Sequence, residues 1–203
     1  GAGTLDLAGA NTFSGFAEVQ EGTLVVSGSL NGTAWVTVAA GAVLETDAEA
    51  TISTSWIENV SVAGTLSPGG AGEEGKLTLN LATGTKLNFE SGSTLKFDLG
   101  DATSDLVSFE VAGDWLGGSG DVTLSLAGTI NYAASYTIFE NVTTAGFEFA
   151  AITGYDTANY LASLVQDGSD YTLSFVPVPE PGTATILIGG LGLLLGTRRN
   201  RRK

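Results

Sequence analysis

The sequence predicts an all-β fold, a solenoid of stacked β-coils, from a repeat, an alternating pattern and a glycine-rich composition. Glycine-led segments recur at intervals of 19, 19, 23 and 20 residues, opening at Gly3, Gly22, Gly41, Gly64 and Gly84. Within them apolar and polar residues alternate, as in a strand with one buried face. The chain has 29 glycines, which suit tight corners because glycine adopts positive φ without strain. A fixed period near 20 residues is typical of coils that bury their apolar face by stacking.

The first coil has a recognisable order of strand and turn. Leu5 and Leu7 alternate with polar residues, a turn spans Ala8–Gly15, and a second alternating strand follows at Gly22–Gly28. This run resembles the autotransporter-associated β-strand repeat of bacterial surface proteins, over about the first thirty residues. Phe16–Glu18 replaces the usual Gly-Gly-Thr of that repeat. The resemblance implies a right-handed parallel β-helix.

Three segments are expected along the chain. Residues 1–112 carry the solenoid repeats, and a glycine-rich break at Ser67–Gly75 separates two sets of strands within them. From residue 113 to 176 the strands are richer in aromatic residues and are expected to form a β cap over the last coil. Residues 177–203 form a tail with a helix predicted at 183–197.

Lysines and tryptophans carry two further expectations. Lys76, Lys86 and Lys96 occur once per strand, so we expect them to form one solvent-facing file along the stack. Alternation with Ala34, Val36 and Val38 places Trp35 on the outer face of its strand. Each of Trp35, Trp56 and Trp115 is either packed by its own loop, which is the commoner case, or a platform for a sugar.

Composition excludes several classes of function. The chain contains no His and no Cys, so the usual general base, thiol nucleophile and metal ligands are missing. It also has no Met, and we expect Gly1 to be an internal or a processed start. Residues 1–176 hold 21 carboxylates against three lysines, a net charge of −18, which repels nucleic acid. We therefore expect no nucleic-acid partner and no cofactor.

The densest group of carboxylates lies at Asp98, Asp101 and Asp105. Oxygen ligands at a turn can bind Ca²⁺, but the spacing lacks the order of an EF-hand loop, and the favoured interpretation is a polar turn between coils. Paired acids also occur in the β-helix enzymes that cleave polysaccharides. Since residues 1–176 have no Arg or His to hold an acidic sugar, we assign no catalytic residue. We assign no metal site either, and Asp98, Asp101 and Asp105 are the candidates if a metal binds.

The tail has three parts in a fixed order. The motif Pro179, Glu180, Pro181 is followed by an apolar run, Ala184–Gly196, and then by a basic cluster at the end of the sequence. The predicted membrane helix includes Ala184, Ile186, Leu187, Ile188, Leu191, Leu193, Leu194 and Leu195. The basic residues are Arg198, Arg199, Arg201, Arg202 and Lys203. The run is short for a spanning helix, yet the positive-inside rule would keep its basic end in the cytoplasm and everything before it outside.

This order resembles the PEP-CTERM sorting signal. The resemblance implies a Gram-negative exported protein that the inner membrane holds transiently, until an exosortase cuts it near Pro179–Pro181. It also implies association with exopolysaccharide and biofilm matrix. We expect a non-enzymatic structural or adhesive protein of the cell surface or extracellular matrix. The alternatives are a β-helix polysaccharide lyase or glycosidase, and a calcium-stabilised matrix binder.

Overall fold

Parallel β-sheets form the body of the protein. The computed structural model describes residues 1–33, 35–54, 59–70, 72–118 and 121–179. Within these residues the strands form three sheets, and each of the first five coils adds one strand to each sheet in turn. The prediction of an all-β solenoid is confirmed.

Strands of the three sheets are numbered in chain order. The first sheet contains β1 (Thr4–Leu7), β4 (Thr23–Val26), β7 (Val43–Thr46), β10 (Thr65–Ser67), β13 (Thr94–Leu99), β16 (Thr123–Gly128) and β18 (Ala151–Thr153). The second contains β2 (Ala10–Asn11), β5 (Ser29–Thr33), β8 (Glu49–Thr54), β11 (Lys76–Asn80), β14 (Leu106–Gly113), β17 (Ser135–Val142), β20 (Asp170–Pro177) and β19 (Tyr160–Asp167). The third contains β3 (Ala17–Val19), β6 (Val36–Val38), β9 (Val60–Val62), β12 (Leu87–Phe89) and β15 (Leu116–Gly118).

One apolar core runs through the stack. Alternate residues of each strand point into it, so that Leu44, Leu66, Leu95 and Leu124 of successive strands of the first sheet are almost completely buried. In β6, Val36 and Val38 are buried while Trp35, just before the strand, and Thr37 are partly exposed, as the alternation predicts. Predicted position Ala34 lies outside the described residues.

Coil length changes along the chain. Paired residues of the first sheet are Thr4, Thr23, Val43, Thr65, Thr94, Thr123 and Ala151, which gives intervals of 19, 20, 22, 29, 29 and 28 residues. The predicted opening at Gly84 is therefore wrong. Gly84 lies in a turn between the second and third sheets, where the Thr85 hydroxyl donates to the Ala82 carbonyl (2.7 Å). Longer corner loops, beginning with 68–75, lengthen the coil and move its opening to Thr94.

Parallel pairing continues beyond residue 112. Strand β15 pairs with β12, β16 with β13, β17 with β14 and β18 with β16, all parallel. Antiparallel pairing begins with the hairpin β19–β20, whose β20 also lies antiparallel to β17. The predicted division between residues 112 and 113 does not coincide with this change, because residues 116–153 keep the inward alternation that the coils require.

The three lysines lie on three different sheets. Lys76 belongs to β11 of the second sheet, Lys86 precedes β12 of the third, and Lys96 lies in β13 of the first. The expected single file of lysines is therefore wrong, because consecutive strands of a coil face three directions. Lys76 pairs with Glu140 (3.4 Å) and Lys86 with Asp114 (2.9 Å).

Candidate functional site

The predicted carboxylates lie where the first sheet turns into the second. Three successive corner loops, residues 68–75, 100–105 and 129–134, follow β10, β13 and β16, and we call them the acidic corner. Residue 71 in the first loop lies outside the described residues. Side chains connect one loop to the next: the Thr103 hydroxyl donates to Glu74 (2.7 Å), and the Asn131 amide donates to the Asp101 carboxylate (3.0 Å).

Asp105 is the most deeply buried carboxyl group of the corner. Its side chain is 0% exposed, and its two oxygens accept hydrogen bonds from the backbone N–H groups of Gly75 and Asp98, each at 2.8 Å. The pKa of Asp105 is raised to about 7, chiefly by burial and to a smaller extent by the nearby charges of Asp98 and Glu74, against the opposing effect of the two backbone hydrogen bonds. Complete burial keeps this acid out of contact with a substrate.

The other two candidates have separate partners. Asp98 is 4% exposed and accepts a hydrogen bond from the Gly72 backbone N–H (3.0 Å), whereas Asp101 is exposed and contacts Asn131. The structure thus brings Asp98 and Asp105 together and directs Asp101 to the next loop. No group of three or more Asp or Glu side chains in the described part of the chain is arranged to hold a metal ion. The carboxylates of Asp98 and Asp105 therefore serve as hydrogen-bond acceptors for backbone N–H groups in and beside the long loops.

The three tryptophans differ in environment. Trp35 stacks on Phe16 of the preceding coil, with ring centroids 5.1 Å apart and planes at 9°. Trp115 stacks on Phe109 of its own coil, and its indole N–H donates to the Val111 carbonyl (2.6 Å). Trp56 lies outside the described residues. The own-loop interpretation therefore fits Trp115, and Trp35 has a partner from another coil.

The sorting tail begins where the last strand ends. Strand β20 finishes at Pro177, and the backbone N–H of Val178 donates to the Asn159 carbonyl (2.8 Å). Proline has no N–H and cannot continue a β-ladder, which explains the end of the strand. Pro179 is exposed, whereas Glu180, Pro181, the predicted membrane helix at 183–197 and the basic residues 198–203 lie outside the described residues. None of the described residues forms a helix long and apolar enough to cross a membrane.

Two family models match the two ends of the sequence. The model of the PEP-CTERM protein-sorting motif matches residues 177–203. The chain carries a PEP-CTERM sorting motif. This motif starts at the last residue of β20, so the folded body and the signal meet at Pro177. It indicates export through the membrane to the surface of a Gram-negative bacterium and implies processing by an exosortase-type sorting enzyme.

The second match lies at the other end. The model of the passenger-associated-transport repeat matches residues 1–26, which form β1 to β4 and the turns between them. Both resemblances found in the sequence are confirmed. The PEP-CTERM motif and the repeat together suggest an exported surface protein. A search of curated proteins found no relative of this chain.

Proposed function

We propose that this PEP-CTERM protein is a non-enzymatic structural and adhesive component of the bacterial surface or extracellular matrix. The observation that carries the proposal is the junction at Pro177. Antiparallel pairing of β20 with β19 ends there, and the sorting motif begins at the same residue. Because the signal is attached directly to the last strand, its removal would leave a complete folded body at the cell surface.

The body has features that suit a passive extracellular role. Its core is continuous from coil to coil, so force or contact at one coil is borne by its neighbours. Its net charge of −18 over residues 1–176 keeps it soluble and repels anionic surfaces. Asp105, the acid whose pKa is raised to about 7, is buried and hydrogen-bonded to backbone. These features support a role in structure and attachment rather than catalysis.

Delivery is tested in a Gram-negative host that contains an exosortase. We expect the wild-type chain to appear shortened and outside the inner membrane. Replacement of Pro179, Glu180 and Pro181 by alanine should leave it at full length in the membrane fraction, and Pro177→Ala is the matched proline control. In a host without the enzyme, all three chains should behave alike. Normal cutting of the triple variant, or retention of the wild type in the cytoplasm, contradicts the proposal.

The absence of catalysis is tested separately with the full chain. We expect no release of reducing ends or unsaturated sugars from a panel of neutral and acidic polysaccharides. Cells that lack the protein should lose matrix or attach less well to a surface, and cells that produce Asp105→Asn should attach normally. Turnover that disappears in Asp101→Asn or Asp105→Asn would identify the protein as an enzyme.

A further inference from the structure

A row of side chains follows the outer face of the third sheet from coil to coil. Pairing in that sheet aligns Ala17, Val36, Val60, Leu87 and Leu116, all buried. The residue before each of these lies on the opposite side of its strand, although the ring of Trp115 folds back onto the buried Phe109 and packs against the core. These preceding residues are Phe16, Trp35, Asn59, Lys86 and Trp115, and we call them the outer file. Residues that are far apart in sequence thus stand one strand apart, at a spacing of ~4.8 Å.

Aromatic rings occupy one end of the outer file. The Phe16 side chain is 57% exposed, and its ring stacks in parallel on that of Trp35. Within the described part of the chain the Trp35 indole N–H has no hydrogen-bond partner, in contrast to that of Trp115. The two parallel rings lie outside the core, and each covers one face of the other, so that the rest of their apolar surface is in partial contact with water. Exposed aromatic area with a free donor is typical of a binding surface.

Polar groups continue the file toward its other end. The Asn59 side-chain oxygen accepts a hydrogen bond from the backbone N–H of Lys86 (2.8 Å), which leaves the Asn59 amide group at the surface. The Lys86 ammonium group lies 2.9 Å from Asp114. The Thr144 hydroxyl and then Lys86 lower the pKa of that carboxyl group, so it is ionised at neutral pH.

A groove opens beside this polar end. Its volume is about 500 Å³, and Lys86, Asp114, Trp115, Asn80 and Glu110 are among its lining residues. It exists because β14 bulges between Ser108 and Gly113, where the register with β17 shifts. The outer file therefore runs from a stacked aromatic pair into a groove whose lining is mostly apolar and includes Leu79, Leu81 and Val111.

We propose that the outer file binds a polysaccharide chain that lies along the solenoid axis. This inference rests on the proposed function, since an adhesive surface protein meets matrix polysaccharide. Aromatic faces stack on the apolar face of a pyranose ring, and amide, ammonium and carboxylate groups hydrogen-bond its hydroxyls. Strands of this sheet are ~4.8 Å apart, so a chain of pyranose rings along the axis would meet one coil after another.

Charge favours this ligand over other macromolecules. The outer file itself carries only Lys86, which is paired with Asp114, so this strip is close to neutral on a body whose net charge is −18. Nucleic acid and anionic lipid are repelled by the surrounding carboxylates. Glu18, Thr37, Ser61 and Asn88 form the next outward row of the same sheet and add carboxylate, hydroxyl and amide groups along the same axis. A neutral polysaccharide matches both rows.

The test is affinity electrophoresis of the full chain in mild detergent, in gels that contain either neutral hydroxyethyl cellulose or anionic polygalacturonate. We expect the neutral polymer to retard the wild type more strongly. Trp35→Ala and Phe16→Ala should each bind about tenfold more weakly, because each removes one stacking surface. Leu161→Ala, which removes a 59% exposed side chain from β19, is the matched control and should bind as the wild type does.

Several results would overturn this inference. Wild-type protein that neither polymer retards has no such site, and the outcome of the sorting experiment is independent of that result. Retardation that persists in both aromatic variants places the sugar elsewhere. A change of oligomeric state in Trp35→Ala or Phe16→Ala, without loss of sugar binding, would assign the ring pair to contact with a second copy of the chain.

Discussion

The carboxylate of Asp105 accepts a hydrogen bond from the backbone N–H of Gly75, 30 residues earlier and one coil away, at 2.8 Å. A second hydrogen bond, from the backbone N–H of Asp98 at 2.8 Å, ties the same side chain to the strand before its own loop. One buried acid thus connects the break at residues 68–75 to the body of the solenoid. Its ionisation couples the stability of this corner to pH.

Stability should rise as pH falls from about 7 to about 4. The pKa of Asp105 is raised from 3.8 to about 7 in the folded chain, so the folded state holds this proton more tightly than the unfolded state. Its contribution to the free energy of unfolding is full below the unfolded pKa and is lost as pH rises through the folded one. We expect the wild type to melt several degrees higher at pH 5 than at pH 8, at about 3 °C per kcal/mol.

Asp105→Asn tests whether Asp105, rather than another carboxyl group, causes the pH dependence of Tm. The asparagine side chain does not titrate, so the difference in Tm between pH 5 and pH 8 should shrink, although the variant loses one of two hydrogen bonds and melts lower at pH 5. Glu18→Gln removes an exposed carboxyl group of β3 and should keep the wild-type difference. Equal slopes in Asp105→Asn and the wild type would assign the pH dependence to other groups.

Neighbouring coils approach each other so closely at Gly64 that a side chain does not fit there. A Cβ atom at this position would collide with the backbone carbonyl oxygens of Ala42 and Ala39. Gly64→Ala should therefore lower the free energy of unfolding by roughly 1–3 kcal/mol, in the range of overpacked core sites. Chemical denaturation measures this. Gly15→Ala, where nothing lies within 4 Å, should change stability little, and a neutral Gly64→Ala would mean that the coils can separate without cost.

A buried hydroxyl holds the third loop of the acidic corner. The Tyr136 hydroxyl accepts a hydrogen bond from the Asn131 N–H (2.8 Å) and donates to the Gly100 carbonyl (2.9 Å). Tyr136→Phe leaves both groups without this partner, and we expect a loss of about 1–3 kcal/mol in denaturant unfolding. Tyr160→Phe is the control, because the Tyr160 hydroxyl has no hydrogen bond to the described residues. Equal effects of the two substitutions would contradict the assignment.

The body should fold without the sorting tail. Among the described residues, the last backbone hydrogen bond joins Val178 to Asn159, so removal of residues 179–203 deletes none of the pairing described for the body. We expect the truncated chain to leave the membrane fraction and to keep its melting temperature within about 2 °C. Truncation at residue 170 removes the buried Tyr171, Leu173 and Phe175 and should abolish cooperative melting. Aggregation of the first truncated chain would show that the apolar run packs against the body.

Local features of the sequence were enough to predict the strands. Alternation in segments such as Leu77–Leu81 and Leu95–Leu99 identified the buried side chains, because a strand turns every second residue to the same face. The sorting motif was also readable, since its parts follow one another in order within residues 177–203. Neither prediction depends on which strands pair.

The pairing register of the strands, and the face of the solenoid on which each side chain lies, were decided by tertiary structure alone. Gly84 and Gly92 look alike as coil openings, yet the corner loop at 68–75 lengthens the coil and pairs Thr94, after Gly92, with Thr65. The same register sent Lys76, Lys86 and Lys96 to three faces and placed Phe16 beside Trp35. It also buried Asp105 beneath the loop of the preceding coil. These relationships join residues about 20 to 30 positions apart, and loop lengths fix them through packing that no local pattern records.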